Sequence, residues 1–166
     1  MWSSMTSSPG LASEAAALLA ACRDAGVTLA TAESCTGGLI AATLTEIAGS
    51  SDVVDRGFVT YSNEAKMELL GVPSGLIAAH GAVSEEVARA MAEGALQHAR
   101  ADIAVSVTGI AGPSGATPTK PVGLVHLACA RRGRPTLHER HVLPGDRQAI
   151  RAQTVRLAFA LVRRQL

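Results

Sequence analysis

Apolar residues recur at helical spacing at Leu11, Ala15, Leu18, Leu19 and Cys22, and Gly26 supplies the stop of a first helix. Val27 to Ala32 then forms a short apolar run that predicts a buried strand. The stretch Glu33 to Gly38 predicts a turn opening a second helix that continues to about Ala48, where Gly49-Ser50-Ser51 breaks it. Arg56 to Tyr61 (RGFVTY) has the composition of a strand. Ser62 or Asn63 can cap a short helix ending at Gly71, before Pro73. Ser84 with Glu85 and Glu86 marks the start of a helix reaching about Arg100. Ile103 to Thr108 (IAVSVT) predicts another strand. Gly109 to Pro121 holds four Gly or Pro breakers in its first seven residues and predicts a loop. In Val122 to Ala130, the residues Val122, Leu124, His126, Ala128 and Ala130 alternate, predicting a strand with one buried face. Arg132-Gly133 turns it into a partner strand ending near Leu143. Asp146 then caps a last helix whose stripe includes Ile150, Val155, Phe159 and Leu161.

Strands alternating with helices predict an α/β fold, a three-layer α/β/α sandwich around a mixed, mostly parallel sheet. No repeat or linker divides the chain, so residues 11–166 are expected to form one domain behind a flexible tail, residues 1–10. A chain of 166 residues can bury a sufficient core without disulfides or metal. Aromatics make up only 2% of it, so aliphatic residues must fill that core.

A formal charge of +1 gives no electrostatic case for nucleic acid or an anionic membrane, and no apolar run approaches a membrane span. The Ala-rich start lacks a basic leader and carries Glu14 and Arg23, which fits a helix of a cytoplasmic protein. Cys22, Cys35 and Cys129 form no CxxC pair, and His80, His126, His138 and His141 show no ligand grouping, so no metal is expected. His138 and His141, three apart in a strand, point to opposite faces.

Four segments could carry chemistry. In Thr31-Ala32-Glu33-Ser34-Cys35-Thr36-Gly37-Gly38, backbone N–H groups at a helix start could bind phosphate or an oxyanion formed when Ser34 attacks a carbonyl. The same residues serve ordinary capping and turning, and Cys35 is a rival nucleophile. Tyr61-Ser62-Asn63-Glu64-Ala65-Lys66 holds the sole tyrosine and one of only two lysines, against thirteen arginines. A serine nucleophile needs a base, and a desolvated lysine can be one where arginine cannot. Lys66 could equally be a solvated surface residue. Thr108-Gly109-Ile110-Ala111-Gly112-Pro113-Ser114-Gly115 lets backbone approach a ligand, or is a plain surface loop. Arg147 and Arg151, one helical turn apart, could hold a phosphate or simply face solvent.

Taken together and in order, TAESCTGG (31–38), AGSS (48–51), RGFVTYSNEAK (56–66), VTGIAGPSG with TPTKPVG (107–123) and GDRQAIR (145–151) resemble the CinA carboxy-terminal domain family, the nicotinamide-nucleotide amidohydrolases. The resemblance covers nearly the whole chain after the tail. It implies a three-layer fold and metal-free, cofactor-free deamidation of nicotinamide mononucleotide to nicotinic acid mononucleotide. By position, Ser34 would be the nucleophile, Lys66 the general base and Tyr61 its helper. Cys35, Thr36, Gly37, Gly38, Thr108, Gly109, Gly112, Arg147 and, as a second arginine, Arg151 would bind substrate. Ser114 and Ala116 depart from the Gly-rich run expected in the second loop. A cytoplasmic homo-oligomer, with a dimer favoured, is expected. Two alternatives stay open: a non-catalytic module that binds pyridine nucleotides or docks on a protein, and an amidase for another nucleotide-like amide.

Overall fold

The computed structural model describes residues 9–166. Its elements are α1 (Pro9–Ala25), β1 (Leu29–Glu33), α2 (Leu39–Thr45), β2 (Val54–Val59), α3 (Asn63–Leu70), α4 (Ser74–His80), α5 (Glu85–Gln97), β3 (Ile103–Gly109), β4 (Leu124–Arg131), β5 (Leu137–Val142) and α6 (Arg147–Gln165), with a single 3₁₀ turn at Ser50–Asp52. Helix α1 thus takes Pro9 and Gly10 out of the expected tail, whose remaining residues lie outside the described ones.

The strands form one sheet in the order β2-β1-β3-β4-β5. β1 pairs in parallel with β2 and β3, while the β3–β4 and β4–β5 pairs are antiparallel. Four of the five strands therefore run the same way and only β4 is reversed, as a mixed, mostly parallel sheet requires. Helices α1, α2 and α6 cover one face, and α5, flanked by α3 and α4, covers the other.

The two faces differ in bulk. Toward α1 and α6 the central strands send Leu29, Ile103, Val105, Val107, Val125, Leu127 and Cys129. Toward α5 they send mostly small residues: Ala30, Ala32, Ala104, Ser106, Ala128 and Ala130. Low side-chain height lets α5 lie close, and the Ser106 hydroxyl donates to the Ala88 carbonyl at 2.6 Å. Gly94 of α5 lies so near the end of α3 that an added Cβ would collide with the Leu70 carbonyl oxygen.

Three expectations change. Strand β4 is buried on both faces rather than one, because Val125, Leu127 and Cys129 pack against the α1–α6 layer while their neighbours pack under α5. Helix α2 begins at Leu39 and ends at Thr45, several residues short of Ala48. Helix α4, after Pro73, has no counterpart in the sequence reading.

Strand direction gathers the chemistry-bearing residues in one place. β1, β2, β3 and β5 all deliver their carboxyl ends to one edge of the sheet, where open α/β sheets collect their ligand-binding loops. Ser34 follows β1, Tyr61 and Lys66 follow β2, Gly109 ends β3, and Arg147 follows β5.

Candidate active site

The turn after β1 is built from the inside. Glu33 ends the strand, and its fully buried carboxylate accepts from the N–H groups of Ile40 (2.9 Å) and Ala41 (3.1 Å). These are first-turn donors of α2, so the strand's own last residue satisfies them and matches the positive end of the helix. Ser34 therefore is not the helix cap. The α2 amino terminus is thus already supplied with a carboxylate by the chain itself. Gly37 and Gly38 carry the chain through positive φ values of 57° and 104°, a conformation side chains resist.

Opposite Ser34 stands Lys66, with only 1% of its surface exposed. The Ser62 hydroxyl caps α3 by accepting from Ala65 N–H, which fixes the helix that presents Lys66. The Lys66 amine donates to Ser34 Oγ at 3.0 Å and to the Thr60 carbonyl at 2.8 Å, with the Tyr61 carbonyl at 3.4 Å. Among the described residues it has no carboxylate partner. Burial pushes its pKa below the ordinary lysine value, the direction a general base needs.

Ser34 and Lys66 open onto a cavity of about 310 Å³, lined also by Cys35, Tyr61, Asn63, Thr108 and the loop from Gly109 to Gly112. Its lining carries two basic side chains, Lys66 and Arg147, and no carboxylate. Arg147 bridges the two walls, donating to the Gly112 carbonyl (2.8 Å) and to the Tyr61 hydroxyl (3.2 Å). Asp146, accepting from Ala149 N–H at 2.8 Å, caps α6 and so sets where Arg147 starts. Among the described residues, the N–H groups of Cys35, Ala111, Gly112 and Ser114 donate to no protein acceptor. The cavity thus combines a nucleophile, a base and spare backbone donors.

Of the residues expected at a site, Ser34, Cys35, Tyr61, Lys66, Thr108, Gly109, Gly112 and Arg147 are brought together around this cavity. Thr36, Gly37, Gly38 and Arg151 do not line it. Arg151 instead donates from α6 to the carbonyls of Cys35 (3.2 Å) and Thr36 (3.0 Å), behind the turn. Tyr61 touches Lys66 only through its backbone carbonyl, and its hydroxyl meets Arg147. The Cys35 thiol is pushed up to about 11, chiefly by burial, so it is protonated and a poor rival to Ser34. Asn63, Val83 and Ser114 line the cavity without having been singled out as ligand contacts. Asn63 stands inside the YSNEAK segment, a signal within reach, whereas nothing in the sequence marks Val83. No group of three or more His, Cys, Asp or Glu residues is placed to hold a metal among the described residues. No helix there is long and apolar enough to cross a membrane.

Fold and site together define a three-layer α/β/α protein with a buried serine–lysine pair at the carboxyl edge of its sheet. The chain belongs to the CinA C-terminal domain family, whose model matches residues 11–166. It is 58% identical over 142 residues to a CinA-like protein of Mycolicibacterium vanbaalenii, covering 86% of this chain and 34% of that one. It is 57% identical over 144 residues to a CinA-like protein of Citrifermentans bemidjiense, covering 87% and 34%. The chain thus spans about a third of the length of these relatives. The competence/damage inducible protein CihA from Agrobacterium tumefaciens superposes with a TM-score of 0.90 at 50% identity, covering 93% of this chain and 94% of that one. A CinA superfamily protein from Escherichia coli gives 0.89 at 34% identity, covering 94% and 90%.

Proposed function

We propose that this domain is a serine amidohydrolase converting nicotinamide mononucleotide to nicotinic acid mononucleotide and ammonia. The observation that carries the reading is the Lys66 amine 3.0 Å from the Ser34 hydroxyl, buried away from any carboxylate that would hold its proton. The substrate comes from the sequence resemblance. A cavity of about 310 Å³ is at the small end of ligand sites and suits a mononucleotide.

Neutral Lys66 accepts the Ser34 proton as Oγ attacks the carboxamide carbon. The developing oxyanion is met by the Cys35 N–H, the donor adjoining the nucleophile that the protein leaves unpaired. Lys66 then gives its proton to the amide nitrogen, the C–N bond breaks and ammonia departs, leaving a nicotinoyl ester on Ser34. Water attacks the ester carbonyl while Lys66 takes the water's proton. Collapse breaks the ester bond, Lys66 returns the proton to Ser34 Oγ, and the acid product leaves as its carboxylate, losing its remaining proton to solvent. The pyridinium withdraws electrons from the carbonyl throughout. Arg147 and the unpaired N–H groups of Ala111, Gly112 and Ser114 are available to the phosphate.

The test is ammonia release from nicotinamide mononucleotide by the purified chain, with product identified by chromatography and nicotinamide riboside as comparison. Turnover should favour the nucleotide strongly. Ser34→Ala should remove nearly all of it while binding stays within a few fold. Residual turnover above roughly a tenth of the parent's would defeat the nucleophile assignment. Tight binding of the nucleotide without turnover by the parent would point instead to a binding module.

A further inference from the structure

The sequence pairs Arg151 with Arg147 as a second ligand contact, but the geometry gives it other work. Arg147 lines the cavity, whereas Arg151, a turn further along α6, reaches behind the Ser34 turn. Its Nε donates to the Cys35 carbonyl at 3.2 Å and a terminal nitrogen to the Thr36 carbonyl at 3.0 Å. The same turn is closed by the Gly37 N–H on the Ser34 carbonyl at 2.9 Å and by the Leu39 N–H on the Thr36 carbonyl at 2.9 Å.

All three carbonyls from Ser34 to Thr36 are therefore held. In a trans peptide the C=O and N–H vectors point opposite ways, so the Ser34 carbonyl, held by the Gly37 N–H, sets the direction of the Cys35 N–H, and the Thr36 carbonyl, held by Arg151, sets the Gly37 N–H that does so. The Ser34 N–H is consumed by the Val107 carbonyl at 3.1 Å and the Gly37 N–H by the turn itself. The α2 donors of Ile40 and Ala41 go to Glu33. What remains beside the nucleophile, in a residue that lines the cavity, is the Cys35 N–H. A guanidinium that grips both the Cys35 and Thr36 carbonyls holds this turn by a rigid fork, and its permanent positive charge is felt at the neighbouring Cys35 side chain.

We propose that Arg151 is a positioning residue for the oxyanion site: it locks the Ser34–Gly37 turn from behind and keeps the Cys35 N–H aimed at the charge that develops when Ser34 is acylated. It makes no contact with substrate. The proposal rests on the serine mechanism above and predicts a loss confined to the chemical step. An oxyanion donor acts on the transition state far more than on the ground state.

The experiment uses the full chain and a fluorophosphonate probe, which phosphonylates an activated serine and displaces fluoride without needing the natural substrate. Labelling of Ser34 is followed by intact mass in the parent, Arg151→Met and Arg151→Lys. Nicotinic acid mononucleotide affinity and kcat and KM on nicotinamide mononucleotide are measured alongside. Arg151→Met should label roughly 10- to 100-fold more slowly, with kcat reduced by a similar factor and both KM and product affinity within about twofold. Added methylguanidinium should restore part of the labelling rate, which a merely folding-related role would not allow. Arg151→Lys keeps the charge without the fork and should fall between. It decides the matter should the methionine variant fail to fold. Equal labelling rates in all three proteins overturn the proposal, as does a loss of nucleotide affinity matching the loss of labelling, since that would make Arg151 a ligand contact. A parent whose Ser34 takes no label while the chain still deamidates the nucleotide overturns the serine mechanism itself, a different result.

Discussion

At Lys66, folding stability and the proposed role as a base pull in opposite directions. Enclosing an ammonium costs stability, and burial is what lowers its pKa from the ordinary 10.5. Linkage sets the sign. Unfolded chains hold this proton up to the ordinary value and the folded chain releases it earlier, so the penalty is full below the folded pKa and relieved as pH rises toward the unfolded one. Lys66→Met should therefore abolish turnover yet melt no lower than the parent at pH 6, with any advantage shrinking as pH is raised. Calorimetry across pH checks this, and a variant that melts several degrees lower at every pH would refute it. In the parent, kcat/KM should rise with pH and level off above the lowered pKa. Lys66→Arg, unable to give up a proton, should stay nearly inactive throughout. The residues of this pair were visible in the sequence as types, a serine in a turn and a rare lysine, but their 3.0 Å meeting was not. It depends on β1 and β2 lying side by side in parallel, a long-range fact that no local pattern carries.

Among the elements, α2 shows how a site can be shielded by its own scaffold. The Glu33 carboxylate spans to Ile40 and Ala41, so β1 and α2 are locked through one side chain. Glu33→Gln removes the charge and leaves at most one acceptor oxygen for two donors. It should cost about 1–3 kcal/mol, which for a chain of this size is roughly 2–4 °C of Tm per kcal/mol. An unchanged melting temperature would show that the cap is dispensable. Elements with strong punctuation were legible beforehand. Asp146 and Ser84 cap α6 and α5 as their positions predict, and both helices run close to their expected limits. The failures have physical reasons. In β4 apolar residues stand on both faces, Val125, Leu127 and Cys129 on one and Ala128 and Ala130 on the other, so the alternation marks no exposed side. Helix α4 is one seven-residue stretch without a buried side chain, too short and too exposed for a periodic signal. The α2 amino terminus departs from the expected turn because Glu33 ends β1 and closes the helix with its side chain, a long-reach contact that local pattern does not carry.

For the molecule as a whole, acid should be felt first at the far side of the sheet from α6. His126 and His138 stack at 5.2 Å between ring centres, with His126 Nδ1 2.9 Å from His138 Nε2. Burial, then the charges of His138, Arg140 and Lys120, bring His126 down from 6.5 to about 4, with Glu85 opposing. Burial also lowers His138. The unfolded chain thus takes these protons before the folded one, and stability should fall as pH drops from about 6.5 toward 4. The ion-paired carboxylates Asp52 and Asp55 are held below their ordinary 3.8 and lose their contribution only in stronger acid. Thermal melts at pH 7, 6 and 5 should therefore show a decline of several degrees that His126→Leu flattens. A parent curve that is level over this range would rule the pair out as its source. The unequal bulk on the two sides of the sheet has a different kind of consequence, in how the protein tolerates inherited change. In a saturation map of substitutions, positions such as Leu127 and Val105 should punish loss of side-chain volume, while Ala30, Ala104 and Ala128 should punish gain. Drift would then be free to exchange one branched aliphatic for another beneath α6 but held to the smallest side chains beneath α5, so that a single sheet evolves under two opposite steric rules.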